Sequence, residues 1–438
     1  MKKIMGCKKW LMIGMVLVLS IVTFGCSGQG NSEGSAGDGN GQKDLKGTEI
    51  KALLPPWSKI PQSMLDEFKK ESGITVHIET LGWDDIHDKI VTSAAAGVAP
   101  ADITEFDWSW VGQFGASNWY EPLNQYFDQK LIDDIPTMDI FKYNDHYLAM
   151  PYFNDFRVTY INEKYFKAAG ITEMPQTPQQ LIEDAKKIKS KGIVDYPLGL
   201  PLSATEGAAT PWYLMTKAYG GELFDKDWNP LFTSKNSAGY KAMQFIIESM
   251  KEDHIIDPAA VSLKDVDVID QFKSGKSAID LSGWSGNYAV YKDSEKSKVS
   301  DSVQMIPVPG KDGESRTFGL VGAFGIPKAS KHKEASVAFI KWLNQPENVK
   351  KLYKDLGLLP NRKSVLESMN EAGELPGGDT ILKVLPTVEP LFPQGTPPWY
   401  PEFSTTVATT INQMAKGSLS LDEGIQKIGD KAKEITQK

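Results

Sequence analysis

The sequence predicts an α/β protein of two globular lobes, and three observations carry that prediction. The chain runs to 438 residues, more than one hydrophobic core comfortably serves. Near the start of its folded part, short apolar or alternating runs take turns with helical patterns, the βαβ signature of a parallel sheet. Finally, Tyr147 to Phe166 (YLAMPYFNDFRVTYINEKYF) breaks at a proline, shows a polar tip and resumes, as a strand does when it crosses between lobes. Pro151 has no ladder N–H, which places it at a strand edge or a crossing point. Pockets favour such interfaces, so Asn154, Asp155 and Arg157 at that tip become ligand candidates. An ordinary strand pair with a polar turn fits the local pattern as well.

The first residues are read as a targeting segment and set apart from the fold. Lys2, Lys3, Lys8 and Lys9 precede an apolar run from Trp10 to Phe24, too short for a comfortable membrane span. Thr23-Phe24-Gly25-Cys26 resembles a bacterial lipobox, whose cysteine is lipidated and becomes the mature N-terminus; an uncleaved anchor helix is the alternative. Residues 1–25 are then a signal peptide, Cys26 the lipid attachment point, and 26–47 a flexible tether rich in Gly, Ser and Asn. The chain has only two cysteines, Cys7 and Cys26, so the mature form has no disulfide, cysteine metal cluster or spare thiol nucleophile. Removing four lysines and no acid takes the formal charge from -8 to -12. With no dense Lys/Arg stripe in the body, nucleic acid is not an expected partner. The lipid, not a basic patch, would hold the protein at the outer face of the cell membrane.

Folded sequence starts near Thr48. Glu49 to Leu54 is a strand broken by Pro55-Pro56 and followed by Trp57. Pro61 opens a helix with Met64, Leu65 and Phe68 on one face, stopped by Gly73, and Ile74, Val76 and Ile78 alternate as a second strand. Asp84 to Ala96 is a further helix before a strand entering at Ala101-Asp102-Ile103. Ligands of parallel sheets bind beyond the carboxyl ends of strands. Trp57 and the run Phe106-Asp107-Trp108 both fall there. Past the crossing, Thr177 caps a helix with Pro178 at its first position. Ser203 to Thr210 reads as a loop before Pro211-Trp212-Tyr213 and another helix. Ala238 to Lys251 and Val268 to Phe272 are helical. Lys276 to Leu281 is a strand delivering Ser282 to Tyr288 as a loop. Val303 to Val308 and Gly319 to Pro327 are strands, and His332 to Asn344 is an amphipathic helix. The remainder is helical, interrupted by Thr396 to Phe403 (TPPWYPEF).

Four passages together resemble the extracellular solute-binding proteins of carbohydrate ABC importers, the group that includes maltose-binding protein. They are PYFNDFRVTYINEKYFKAAGI (Pro151 to Ile171), Ser282-Gly283-Trp284, GAFGIPKASKHKEASVAFIKWL (Gly322 to Leu343) and MAKGSLSLDEGIQKI (Met414 to Ile428). The resemblance implies a two-lobed, type II periplasmic-binding-protein-like fold, each lobe a mixed or parallel sheet flanked by helices, with a hinged cleft between them. It implies lobe 1 from 48–155 and 319–362, and lobe 2 from 156–318 and 363–438. It further implies a monomeric receptor that captures a sugar, closes over it and delivers it to the transmembrane subunits of a permease.

A sugar offers apolar C–H faces and a rim of hydroxyls, which call for flat aromatics beside carboxylates, amides or arginine. The candidate ligand-binding set is Trp57, Phe106, Asp107, Trp108, Asn154, Asp155, Arg157, Trp212, Trp284, Asn287, Trp399 and Tyr400. Trp284 and the pair Trp399-Tyr400 stand where the family places stacking aromatics, with core packing as the alternative. Asp107 fits a helix N-cap equally, and Arg157 a structural ion pair. Trp119 and Trp342 read as packing residues. The aromatic supply favours an oligosaccharide over a phosphorylated ligand, which would call for more arginine. No catalytic motif falls in the folded part: HExxH, GxxxxGK[ST] and GxGxxG are missing, and the one GxSxG match, Gly30 to Gly34, lies in the Gly/Ser-rich tether with no strand before it. The five histidines lie scattered at 77, 87, 146, 254 and 332, with no ligand spacing, so neither metal nor cofactor is expected. Asp84-Asp85 and Asp133-Asp134 are adjacent and point apart, unlike a glycosidase pair. A secreted glycoside hydrolase, a glycan adhesin and a receptor for a non-sugar solute are the competing classes.

Overall fold

Two sheets organise the molecule, and their strands fall where the apolar patterning changes period. A computed structural model describes residues 45–319 and 322–437; the signal, Cys26 and most of the tether lie outside them. In chain order come β1 (Glu49–Leu54), α1 (Gln62–Ser72), β2 (Thr75–Thr80), α2 (Trp83–Ala95), β3 (Ile103–Phe106), β4 (Ala149–Phe153) and β5 (Arg157–Asn162). Next are α3 (Pro178–Ser190), β6 (Leu198–Gly199), α4 (Glu206–Ala218), α5 (Ala238–Lys251), α6 (Asp265–Lys273), β7 (Ile279–Trp284) and β8 (Val303–Ile306). Then follow β9 (Thr317–Phe318), β10 (Gly322–Gly325), α7 (Lys333–Leu343), β11 (Val388–Glu389), α8 (Tyr400–Ala415) and α9 (Leu421–Thr436).

The first sheet has the order β2-β1-β3-β10-β4. β1 pairs in parallel with both β2 and β3, as the βαβ reading requires, while β10 returns antiparallel between β3 and β4. Pro151 lies in β4, the outer strand, where a missing ladder N–H is tolerated. Its carbonyl accepts from Asn361 Nδ2 at 2.8 Å. Ile50, Leu54, Phe68, Phe324 and Phe339 form the core against this sheet. The second sheet has the order β8-β5-β7-β6, with β5 antiparallel to both β8 and β7. A core running from Phe106 and Trp108 through Trp212 to Tyr400 and Phe403 joins the material of the two sheets.

The chain crosses between the two sheets at 154–156, and the passages at Gly319 and at 359–362 run beside that crossing. These passages brace one another: Asn154 bridges Leu359, and Phe156 bridges Gly319. Asp134 clamps the third passage, accepting from Arg362 Nε at 2.7 Å and from the Ser364 amide at 2.8 Å. On one side the halves meet closely. A Cβ on Gly112 would collide with the backbone of Thr396 to Pro398.

Three local expectations need correction. α4 begins at Glu206, so Ser203 to Thr210 is not all loop and Pro211 lies inside a helix. Pro211 cannot donate to the Gly207 carbonyl, but the Thr210 hydroxyl does so at 3.3 Å, which limits the cost. β7 continues through Ser282-Gly283-Trp284, because Arg157 and Val158 pair with Trp284 and Gly283. Finally, α8 starts at Tyr400, within the proline-bounded break, with Pro401 in its first turn.

Candidate functional site

The site starts where β3 ends. Asp107 caps the tight turn Trp108–Trp110, its carboxylate accepting from the Ser109 amide at 2.8 Å and from the Ser109 hydroxyl. That turn sends its two indoles apart. Trp108 reaches the other half of the molecule, its ring 4.9 Å from that of Tyr400. Trp110 turns back to Trp83, 5.1 Å away, and Trp83 in turn stacks with Trp57 at 5.8 Å. Trp57 is 53% exposed, so this ladder of indoles ends in an open ring.

Facing Asp107 is Glu206, the first residue of α4. Its carboxylate accepts from the hydroxyls of Tyr400 and Ser404, and Ser404 also accepts from Tyr213 at 3.0 Å. Glu206 is exposed to solvent by surface area, although protein crowds its carboxylate. Burial raises its pKa against the two hydroxyl bonds, with Asp265 raising it further. Asp107 is pushed up to about 7, first by burial, with Glu206 adding to the rise and the Ser109 bonds opposing it. Two carboxylates from opposite walls thus share one field, and each is readier than a surface acid to carry a proton.

A second cluster forms where β5 meets β7. Arg157 is 2% exposed. It donates to the Ser282 carbonyl and, at 2.9 Å, to Thr210 Oγ1, and lies 3.5 Å from Asp265. Its guanidinium carbon sits 3.3 Å from the ring centroid of Trp284, a cation–π contact. Trp284 is half-buried and its carbonyl accepts from Tyr160 Oη at 2.7 Å, which fixes the backbone beneath the ring. Asp155 accepts from Ser285 Oγ at 3.0 Å and from the Gly286 amide at 3.3 Å. Burial lifts it to about 7 despite those bonds and the Arg157 charge. Asn287 closes this corner with a buried side-chain nitrogen that has no hydrogen-bond partner. Gly207 lets the start of α4 sit against Asp265, since a Cβ there would strike that carboxylate, and so the two clusters adjoin.

Asp107, Trp108 and Tyr400 thus come together at one place, and Asp155, Arg157, Trp284 and Asn287 at another. Trp57 stands on the indole ladder, and Trp399 packs beside Tyr400's helix against Phe224, 5.2 Å away. Three candidates leave the set. Phe106 is wholly buried, edge-on to Phe114 and Tyr120, because its side of β3 faces the core. Trp212 is wholly buried and spends its indole N–H on the Gly239 carbonyl at 2.8 Å. Asn154 is a brace: Nδ2 donates to the Pro360 carbonyl and Oδ1 accepts from Thr137, both at 2.8 Å. The sequence reading missed Trp83, which follows β2 just as Trp57 follows β1. It also missed Glu206, Ser404 and Asp265, which carry no local signal. His87 stacks on Phe114 and lies tilted against Trp110.

Among the described residues no three His, Cys, Asp or Glu side chains gather as a metal site, and no helix is long and apolar enough to cross a membrane. Residues 52–350 match the family described as bacterial extracellular solute-binding protein. A probable amino-acid ABC transporter periplasmic-binding protein of Sinorhizobium fredii is 24% identical over 353 residues, covering 78% of each chain. Among solved structures, maltose-bound MalE3 of T. maritima superposes with a TM-score of 0.78 at 20% identity, over 89% of this chain and 100% of that one. A solute-binding protein of Agrobacterium radiobacter in complex with ribitol gives 0.79 at 22% identity, over 90% and 100%. These likenesses establish the fold as that of two-lobed binding proteins.

Proposed function

The chain belongs to the bacterial extracellular solute-binding protein family, and from that premise we propose that it captures a carbohydrate for an ABC importer, most suitably an oligosaccharide. The observation that carries this reading is a cluster of flat rings and carboxylates from both halves, Asp107 and Trp108 beside Glu206 and Tyr400, in which the two rings are packed against each other and buried while Glu206 stays open to solvent. Aromatic faces take the C–H surface of a sugar, and carboxylates accept from its hydroxyls with charge-assisted strength. The maltose and ribitol held by two similarly folded proteins support a polyhydroxylated ligand.

In this reading Asp107, Trp108, Glu206 and Tyr400 form one half of the ligand contact, and Trp284, Asp155 and Asn287 the other, with Arg157 holding the Trp284 ring from its covered face. Trp57 and Trp399 serve as outer platforms. Ligand bridging the walls shifts the balance toward a closed form by its extra contacts there, and the permease then meets both lobes together. The lobes divide at the crossings near 155, 319 and 362. Residues 1–25 act as the signal and Cys26 carries the lipid, which keeps a monomeric receptor on the outer face of the membrane. No chemistry is performed on the ligand.

The test is a thermal-shift screen of residues 27–438 against mono- and oligosaccharides, sugar alcohols and amino acids. A ligand of the folded state raises the melting temperature as RT ln(1 + [L]/Kd). A shift with one glycan series and no product by chromatography supports the reading. A shorter sugar appearing in the mixture would make the protein a glycoside hydrolase. An amino-acid ligand is the second reading, favoured by the naming of the Sinorhizobium relative. Against it, both terminal nitrogens of Arg157 are already engaged by protein oxygens and do not await an α-carboxylate. Loss of palmitate labelling on Cys26→Ser tests the anchor.

A further inference from the structure

Trp228 breaks a backbone rule. It stands at φ +63, in the left-handed region that residues with a Cβ avoid. The turn that imposes this conformation is tightly built. Asp225 accepts from the amides of Asp227 and Asn229, at 2.9 and 2.8 Å, and the Trp228 amide donates to the Asp225 carbonyl at 3.1 Å. Phe224 and Pro230 bridge its base. Glycine or asparagine would suit the tip of such a turn without strain. A bulky residue kept there against local preference marks a site where the side chain has work to do.

The ring of Trp228 supplies the reason. It is half-buried, 5.1 Å from the Trp399 ring and nearly perpendicular to it, at 82°. Trp399 is also half-buried and immediately precedes Tyr400, which touches Trp108 and Glu206 in the cleft. Phe392 and Phe224 back both indoles. Two indoles at right angles make a corner with one ring as floor and the other as wall. Asp227 and Asn229, on either side of Trp228 in the turn, are exposed, as is Gln394, whose Nε2 donates to the Asp225 carbonyl at 2.6 Å and ties the turn to the segment before α8. An apolar corner with amides and carboxylates at its rim has the character of a sugar subsite rather than of a dry core.

We propose that Trp228 and Trp399 form an outer subsite for an additional sugar ring, so that the cleft accepts an oligosaccharide extending past Trp399 and Trp228 sets the preferred chain length. The proposal rests on the carbohydrate reading. Affinity should therefore rise with chain length until the corner is filled and level off beyond it.

The experiment measures calorimetric affinity of the soluble chain for two-, three-, four- and five-unit members of the malto-, xylo- and arabino-oligosaccharide series. It compares wild type, Trp228→Gly, Trp228→Phe and Trp284→Ala. Glycine removes the ring and relieves the left-handed backbone, so folding is retained, as the melting temperature verifies. The expected result is that the ratio of long-ligand to short-ligand affinity falls about tenfold in Trp228→Gly, the scale of one lost stacking contact, and is largely kept in Trp228→Phe. An unchanged ratio overturns the proposal, and so does an equal loss at every length, which would make Trp228 a mere prop for Trp399. If Trp284→Ala weakens every length while Trp228→Gly keeps the wild-type ratio, the carbohydrate reading stands and the subsite alone falls. If wild type binds none of the three series, both fall.

Discussion

Trp57 and Trp284 carry the same sequence signature, a tryptophan just past or at the end of a strand with small or polar neighbours, yet the molecule treats them oppositely. Trp57 lies over Trp83 with half its surface open, supported from beneath by another indole. Trp284 has one face already covered by the Arg157 guanidinium. The first is a shelf resting on apolar material. The second is a ring polarised by the protein's own cation and fixed at its backbone by Tyr160. An open ring offers area; a clamped one offers orientation. The difference teaches that the energetic weight of a stacking tryptophan is decided by what holds its far side, which the local sequence does not reveal.

The largest effect that would break this comparison comes from the clamp. Arg157→Ala should cost about 3–5 kcal/mol of folding stability by urea denaturation, because it removes the cation beside the buried Asp280 and the partly buried Asp155 and Asp265. A loss below 1 kcal/mol would mean that Trp284 is not held by a structural cation. Next comes pH. Asp107 and Asp155 both have folded pKa values raised by burial to about 7. Protonation favours the folded state for such groups, so their contribution is fully present near pH 4 and is lost as pH climbs through about 7. Asp107→Asn should flatten that part of the stability curve between pH 4 and 7; an unchanged slope would remove Asp107 from the cause.

Smaller effects concern ligand. Trp284→Ala should weaken sugar binding by roughly 1–3 kcal/mol, the scale for losing a central aromatic contact. Unchanged affinity in a folded variant would strike Trp284 from the site. Trp57→Ala should cost about 1 kcal/mol of affinity or less and leave the melting temperature within a degree or two, since an exposed ring contributes little to the core. A large stability loss there would show the indole ladder to be structural, and the contrast with Trp284 would collapse.

How much of this was legible in the sequence follows from what is local. β1, α1, α3 and α7 lie within a residue or two of their expected bounds, because capping and periodicity are written in neighbouring residues. Thr177 and Gln180 form the capping box that their spacing announces. Asp107 is the N-cap that its position allowed, whereas the ion pair expected of Arg157 across the hinge is instead made with Asp265, within the same half of the molecule. Trp212 and Phe106 were misjudged because burial depends on which face of an element meets the rest of the chain, a non-local fact. Glu206 was hidden for the same reason: its two hydroxyl partners, Tyr400 and Ser404, are nearly two hundred residues away. Pro211 misled because proline reads as a helix boundary, and only the Thr210 hydroxyl made an interior position tolerable.

The outer strand β4 has a consequence that concerns neither ligand nor hinge. A sheet edge with free N–H and C=O groups is a template on which another chain can add a strand, and crowded proteins aggregate through such edges. Here one edge of the first sheet carries Pro151, which lacks a donor, and Asn361 covers its carbonyl. The opposite edge, β2, presents His77, hydrogen-bonded to Glu49 of β1 at 3.3 Å, and Glu79, ion-paired with Lys89 of α2. Both edges thus carry features that discourage strand addition, and on one of them the proline belongs to the same strand that carries the chain toward its crossing.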